Sequence, residues 1–154
     1  MERKKAQAWG FDLAVGAIIF LVGILSFYIF TTNISGSDSR LQQLQKNGEL
    51  IANSLMSEGS PSNWNRTNVV RIGLLTENRI DLAKLEEFRW LTEFDYNRTK
   101  TLFRVNTDYF VFFDMEPGNG FGRDYAEARE LIKVTRVVVY NQSVTTLNVY
   151  SWMK

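Results

Sequence analysis

Four Asn-x-Ser/Thr triplets stand out in a chain otherwise poor in reactive side chains: Asn33-Ile34-Ser35, Asn65-Arg66-Thr67, Asn97-Arg98-Thr99 and Asn141-Gln142-Ser143. In a domain outside the cell, each offers a carboxamide able to take a glycan. The rest of the inventory is thin. The 154 residues include no His and no Cys. That removes the commonest general base, the commonest metal ligand, disulfides and thiolate metal sites. Asp114, Glu116 and Asn119 lie beside glycines and offer oxygens to calcium, but their spacing does not match a twelve-residue EF-hand loop. A solvated hairpin tip explains them, and neither a metal nor a cofactor is predicted. Nucleophile elbow, phosphate-cradling glycine loop and zinc set are all missing, and the acid pair Glu86-Glu87 reads as surface, so an enzyme is not predicted. The most demanding ionisable group is Asp12, which stands alone at the threshold of an uncharged eighteen-residue run from Leu13 to Phe30.

That run sets the architecture. About 20 mostly apolar residues cross a bilayer as a helix, and Arg3, Lys4 and Lys5 ahead of the run favour a cytoplasmic N-terminus. The residues after it then face outward. The run exceeds the 7–15 residues of a removable secretory core, and Thr31-Thr32-Asn33 offers no A-x-A site. The segment therefore stays on the mature chain, in contact with membrane lipid. With 18 basic and 17 acidic side chains, the net charge gives no general pull on nucleic acid. Gly16 and Gly23 lie two turns apart inside the run. They either permit close helix–helix approach or reflect the ordinary frequency of Gly in membrane helices.

The order Lys4-Lys5-Ala6-Gln7, a short stretch bearing one carboxylate, and an unbroken apolar helix resembles the class III signal peptide of archaeal type IV pilins. The resemblance implies cleavage by a prepilin peptidase on the cytoplasmic side, between Ala6 and Gln7. The apolar helix then serves first as anchor and later as filament core, packing through Asp12, Gly16, Gly23, Phe27 and Phe30. In that family a carboxylate about five residues into the mature chain meets the new N-terminal amine, in its own or a neighbouring subunit. Asp12 is sixth counting from Gln7, and fifth if the cut follows Gln7. The plainer account of Asp12 is a carboxylate suited to the positive end of a helix. The resemblance implies other pilin subunits as partners and extends loosely over the exterior domain.

The elements that must position these groups read as α+β. A long N-terminal helix, membrane-spanning in its inner half and amphipathic in its outer half, packs on a small antiparallel β-sheet with an additional helix. The domain plan is leader 1–6, membrane or filament-core helix 7–32, amphipathic stalk 33–58 and exterior domain 59–154. The polar stretch Thr31 to Ser39 interrupts or softens the helix, with Asp38 or Ser39 as a second N-cap. Leu41, Leu44, Gly48, Ile51 and Leu55 make one apolar stripe, continued backwards through Ile34, Phe30 and Phe27. Trp64 pins a loop over 59–68, and Asn68 to Leu75 reads as a strand. Asp81 caps a helix from Leu82 to Phe94 whose buried side is Leu82, Leu85, Phe88, Leu91 and Phe94. A further helical turn or two follows over Tyr96 to Phe103. Tyr109 to Asp114 reads as a strand paired with the segment from Phe121 to Glu127 across a turn containing Asn119-Gly120. The runs Lys133 to Tyr140 and Thr145 to Trp152 form a final hairpin, covered on both faces and on one of them by the stalk. The function predicted is a structural subunit of an archaeal type IV pilus-like filament. The alternative is a monomeric, single-pass anchored, extracellular binding domain.

Overall fold

The computed structural model describes residues 3–115 and 118–153, with side chains described for 11–32, 39–115 and 118–153. The fold is α+β. Helix α1 spans Arg3–Leu55. The polar stretch 31–39 does not end it, and neither Asp38 nor Ser39 starts a second helix. Thr31 Oγ1 donates to the Phe27 carbonyl at 2.6 Å and Thr32 Oγ1 to that of Tyr28 at 3.0 Å. These hydroxyls find acceptors on the turn below, so they do not compete for the helical backbone. Intrinsic preferences against helix of up to about 0.7 kcal/mol per residue, and about 1 for Gly36, are too small to break it there.

Contacts divide the chain into two units, Met1–Arg40 and Leu41–Lys154. Among the described residues the first contains helix alone. The second contains every buried residue among those described. Its core begins with Leu44, Ile51, Ala52 and Leu55 of α1, lying against the antiparallel sheet β4-β3-β6-β5. Its strands are β3 (Asp108–Phe113), β4 (Phe121–Gly122), β5 (Leu131–Tyr140) and β6 (Ser143–Trp152). Gly48 faces β5 and β6. A Cβ there would stand 3.0 Å from Val134 Cγ2 and 3.6 Å from Ser151 Cβ.

The expected strand over Asn68 to Leu75 is absent. Only a bridge between Ser60 and Arg71 and the two-residue strand β1 (Leu75–Thr76), paired with β2 (Arg79–Ile80), are present there. The reason lies in where the backbone bonds go. The N–H of Leu74 donates to Leu55 O at 2.9 Å and that of Leu75 to Ser57 O at 3.0 Å. The segment thus satisfies carbonyls left open at the end of α1. Gly73 makes this possible, because a Cβ there would lie 2.2 Å from Gly59 N. Trp64 does pin the preceding loop, donating Nε1–H to Gly73 O at 2.7 Å.

Helix α2 (Leu82–Phe94) has the predicted bounds and cap, with Asp81 accepting from the N–H groups of Ala83 and Lys84. Two of its predicted core residues are wrong, since Leu82 is 56% and Phe94 64% exposed. Successive steps of three residues drift about 60° around a helix, so five such residues cannot share one face. Lys84 and Thr92 complete the buried arc with Leu85, Phe88 and Leu91. Helix α3 (Tyr96–Phe103) follows. Strand β4 is shorter than predicted. After Gly122 the chain leaves the sheet, and Tyr125 comes to lie against Phe110, Tyr150 and Trp152 on the face away from α1. The β5–β6 hairpin closes through Asn141 and Gln142, both at positive φ (49° and 64°), with Ser143 already in the strand. The face toward α1 is covered, and on the other face β6 is largely covered while Lys133, Thr135 and Val137 of β5 and Val144 near the tip are exposed, so the expected cover on both faces is only partial.

Candidate functional site

Within the first unit, Phe11–Thr32 is long and apolar enough to cross a membrane, and none of its side chains is buried by the rest of the chain. A helix turns about 100° per residue, so Asp12, Gly16, Gly23, Phe27 and Phe30 fall within an arc of about 60°. The helix therefore brings the five candidate assembly residues onto one side. Phe27 and Phe30 are exposed, and a Cβ at Gly16 or Gly23 would meet nothing within 4 Å. The side chains of Ala6, Gln7 and Asn33 lie outside those described. Of the other three candidate acceptors, Asn65 sits in a surface turn, Asn97 on α3 and Asn141 in the hairpin turn, all exposed.

The second unit holds two ionic features that the sequence reading missed. Asp108, 6% exposed at its side chain, receives Lys100 Nζ on Oδ1 at 3.0 Å and Arg123 Nη1 on Oδ2 at 3.2 Å. Burial pushes its carboxyl up, and the Lys100 hydrogen bond and the charges of Lys100 and Arg123 outweigh that, holding it below the usual carboxylate range. Tyr96 lies over the same group, its OH accepting from Tyr109 N at 2.9 Å, and burial pushes its hydroxyl well up. The cluster fastens α3 to β3. Its signal in the sequence is only a charge next to an aromatic strand.

The other feature is a cleft of about 540 Å³ between the Trp64 loop and α2, rimmed by Glu58, Asn65, Glu77 and Asp81. Buried Lys84 forms part of its wall and donates Nζ to the carbonyls of Glu58 at 3.0 Å and Leu75 at 2.8 Å. Glu87 on the same rim is held low by hydrogen bonds from Arg66. Asp114 accepts from Thr146 and from Asn148, the latter at 2.7 Å. Glu116 lies outside the described residues. Among the described residues no three acids converge on a metal position.

No protein-family model matches this chain, and neither a curated protein nor a solved structure matches it.

Proposed function

We propose that this chain is a structural subunit of an archaeal type IV pilus-like surface filament, first anchored in the bilayer and then assembled through its N-terminal helix. The carrying observation is the uncovered segment Phe11–Thr32. Fourteen large apolar side chains there are exposed, and covering each is worth about 1.5–3 kcal/mol. The total is on the order of 20–40 kcal/mol. Water is therefore not its solvent, and lipid or neighbouring helices must cover it. Lipid alone does not require the single-sided arrangement of Asp12, two glycines and two Phe rings. A helix bundle uses such a stripe, because small residues let backbones approach and a carboxylate in a dry core needs a cation.

On this reading Arg3, Lys4 and Lys5 hold the N-terminus in the cytoplasm, a prepilin peptidase removes the leader, and the second unit stands outside the cell. Intact-mass measurement of native protein is expected to show a chain beginning at Gln7 or Ala8. Asp12→Ala is expected to impair filament assembly while the exterior unit remains folded. An intact Met1 in assembled material, or undiminished filament yield from that variant, would overturn the proposal. The cleft beside Trp64 favours a second reading, a monomeric anchored domain that binds a ligand there. That reading requires neither the cut nor Asp12.

A further inference from the structure

We infer that Asn65 is the glycan acceptor the folded exterior unit presents, and that the fold withholds Asn97 and Asn141. The inference relies on the proposed exterior location only for its occurrence in the cell.

The three triplets of the second unit are equivalent as sequence and very different as structure. Asn65 Oδ1 accepts from Thr67 N–H at 2.9 Å and from Thr67 Oγ1 at 2.6 Å. A backbone N–H can only donate, so the atom facing it is fixed as the carboxamide oxygen. Nδ2 is thereby left on the outer side, on an exposed residue beside an exposed Thr67. The residue between them is clamped. Arg66 donates its N–H, Nε and Nη2 to Glu87, each at 2.8 Å. Its carbonyl accepts from Arg98 Nη1 at 2.9 Å, and its guanidinium lies 4.8 Å from the centre of the Trp90 ring. The clamp turns Arg66 toward α2 and holds Asn65 and Thr67 outward as a pair. Asn65 also rims the open cleft, which leaves room for an approaching sugar.

Asn97 has the opposite setting. It lies within α3, and its Thr99 partner is 0% exposed, with Oγ1 bonded to Tyr96 O at 2.6 Å and to the Tyr109 hydroxyl. That hydroxyl cannot reach an enzyme or the Asn97 amide without unwinding α3. Asn141 opens a two-residue hairpin turn, and Ser143 is already paired with Tyr140. Bringing Ser143 to Asn141 would break the last rung of the β5–β6 ladder.

The reaction is transfer of a glycan from a polyprenyl-phosphate-linked donor. The Nδ2–C1 bond forms while the C1–O bond to phosphate breaks, and its electron pair leaves on the phosphate. The Nδ2 proton passes to a base of the transferase, and nothing is oxidised or reduced. Three donors on Oδ1, the N–H and hydroxyl of Thr67 and the N–H of Asn68 at 3.3 Å, stabilise the negative charge that moves onto that oxygen as the proton departs.

The test uses the full chain, made in a host without N-glycosylation, folded in detergent and given a single-subunit oligosaccharyltransferase with its lipid-linked donor. Glycopeptide mass spectrometry is expected to find, among the three triplets of the exterior unit, a glycan on Asn65 alone. Asn65→Gln and Thr67→Ala lose it, Thr67→Ser retains it, and Asn97→Gln and Asn141→Gln leave it unchanged, with circular dichroism confirming that each variant is folded. Transfer to Asn97 or Asn141 with Asn65 bare, or no transfer to the folded chain, overturns the inference. Protease accessibility of the domain on intact cells tests the exterior location separately, because the reconstituted reaction does not depend on topology.

Discussion

Gly48 offers the sharpest test of how the helix is seated in the exterior unit, because two opposing effects of known size meet there. Replacing Gly by Ala inside a helix is worth about 0.8–1 kcal/mol in propensity. The added Cβ would stand 3.0 Å from Val134 Cγ2, so the valine must yield by a few tenths of an ångström. Val is stiff at χ1, and the strain offsets much of the gain. Gly48→Ala is therefore expected to leave stability within about 1 kcal/mol of the parent. Gly48→Leu has no such balance. Three further carbons must enter a contact with no room for one, and overpacking of this kind costs about 1–3 kcal/mol or more. Urea unfolding followed by tryptophan fluorescence should show the Leu variant's midpoint well below that of the Ala variant. Adding Val134→Ala should recover part of the Leu loss, since neighbours in contact couple by about 0.5–3 kcal/mol. A Leu variant as stable as the parent, with no coupling to position 134, would show that α1 does not rest on β5 and β6 at this point.

Three further outcomes follow from the same structure. Deleting residues 1–40 is expected to yield a soluble, cooperatively folding domain, because every described buried residue lies in the second unit; aggregation or absence of a cooperative transition would contradict this. Asp81→Ala removes the acceptor for Ala83 and Lys84 N–H and is expected to cost about 0.5–2 kcal/mol, read as a shift in urea midpoint at unchanged slope. Asp108→Ala is expected to cost about 1–3 kcal/mol at neutral pH by removing hydrogen bonds to charged partners. The folded carboxyl of Asp108 is held below its ordinary value. Its contribution is thus complete above the unfolded value of about 3.9 and is lost as pH falls through the folded one. The gap between parent and variant should narrow steadily in urea titrations taken below about pH 4. A gap independent of pH would show that the carboxylate is not what matters at that position.

What could be read from the sequence was what depends on neighbours along the chain. The Asp81 cap, the bounds of α2, the turn at Asn141 and the uncharged run after Asp12 are all set by residues within a few positions of one another. The misses came where a distant partner decides. Val69 to Leu74 carries the composition of a strand, yet the amides of Val70 and Arg71 go to Ser60 and those of Leu74 and Leu75 to the end of α1 rather than to a neighbouring strand. Leu82 and Phe94 fit a spacing of three but not a turn of 3.6 residues. Lys84 is buried because the carbonyls of Glu58 and Leu75 wait for it, and nothing near Lys84 in the chain announces them. The Asp108 cluster draws on α3, β3 and the chain after β4, so no local pattern contains it. The same limit holds for the glycan triplets, whose difference lies in the Glu87 clamp on Arg66 and in the Tyr109 hydroxyl that occupies Thr99.

On the proposed reading, helix geometry also makes the position of the leader cut decide which amine can meet Asp12. A cut after Gln7 leaves the amine on Ala8, four residues before Asp12. Positions i and i+4 lie one above the other on the same face, about 6 Å apart along the axis at 1.5 Å per residue. The amine and carboxylate of one chain can then approach without a partner, and Asp12 would be neutralised before assembly. A cut after Ala6 leaves the amine on Gln7, about 7.5 Å away along the axis and about 140° around it. A carboxylate on one methylene does not reach that far, so Asp12 would stay unpaired in the monomer. A neighbouring subunit, displaced along the helix, would have to supply the cation. The second case couples neutralisation to assembly, and the first does not. Measuring the mature N-terminus therefore distinguishes them before any filament is seen. If it is Gln7, Asp12→Ala subunits should still enter filaments when mixed with parent subunits, since their amines remain available to neighbouring carboxylates. If it is Ala8, each variant subunit carries an uncompensated amine of its own and should be excluded from the mixture.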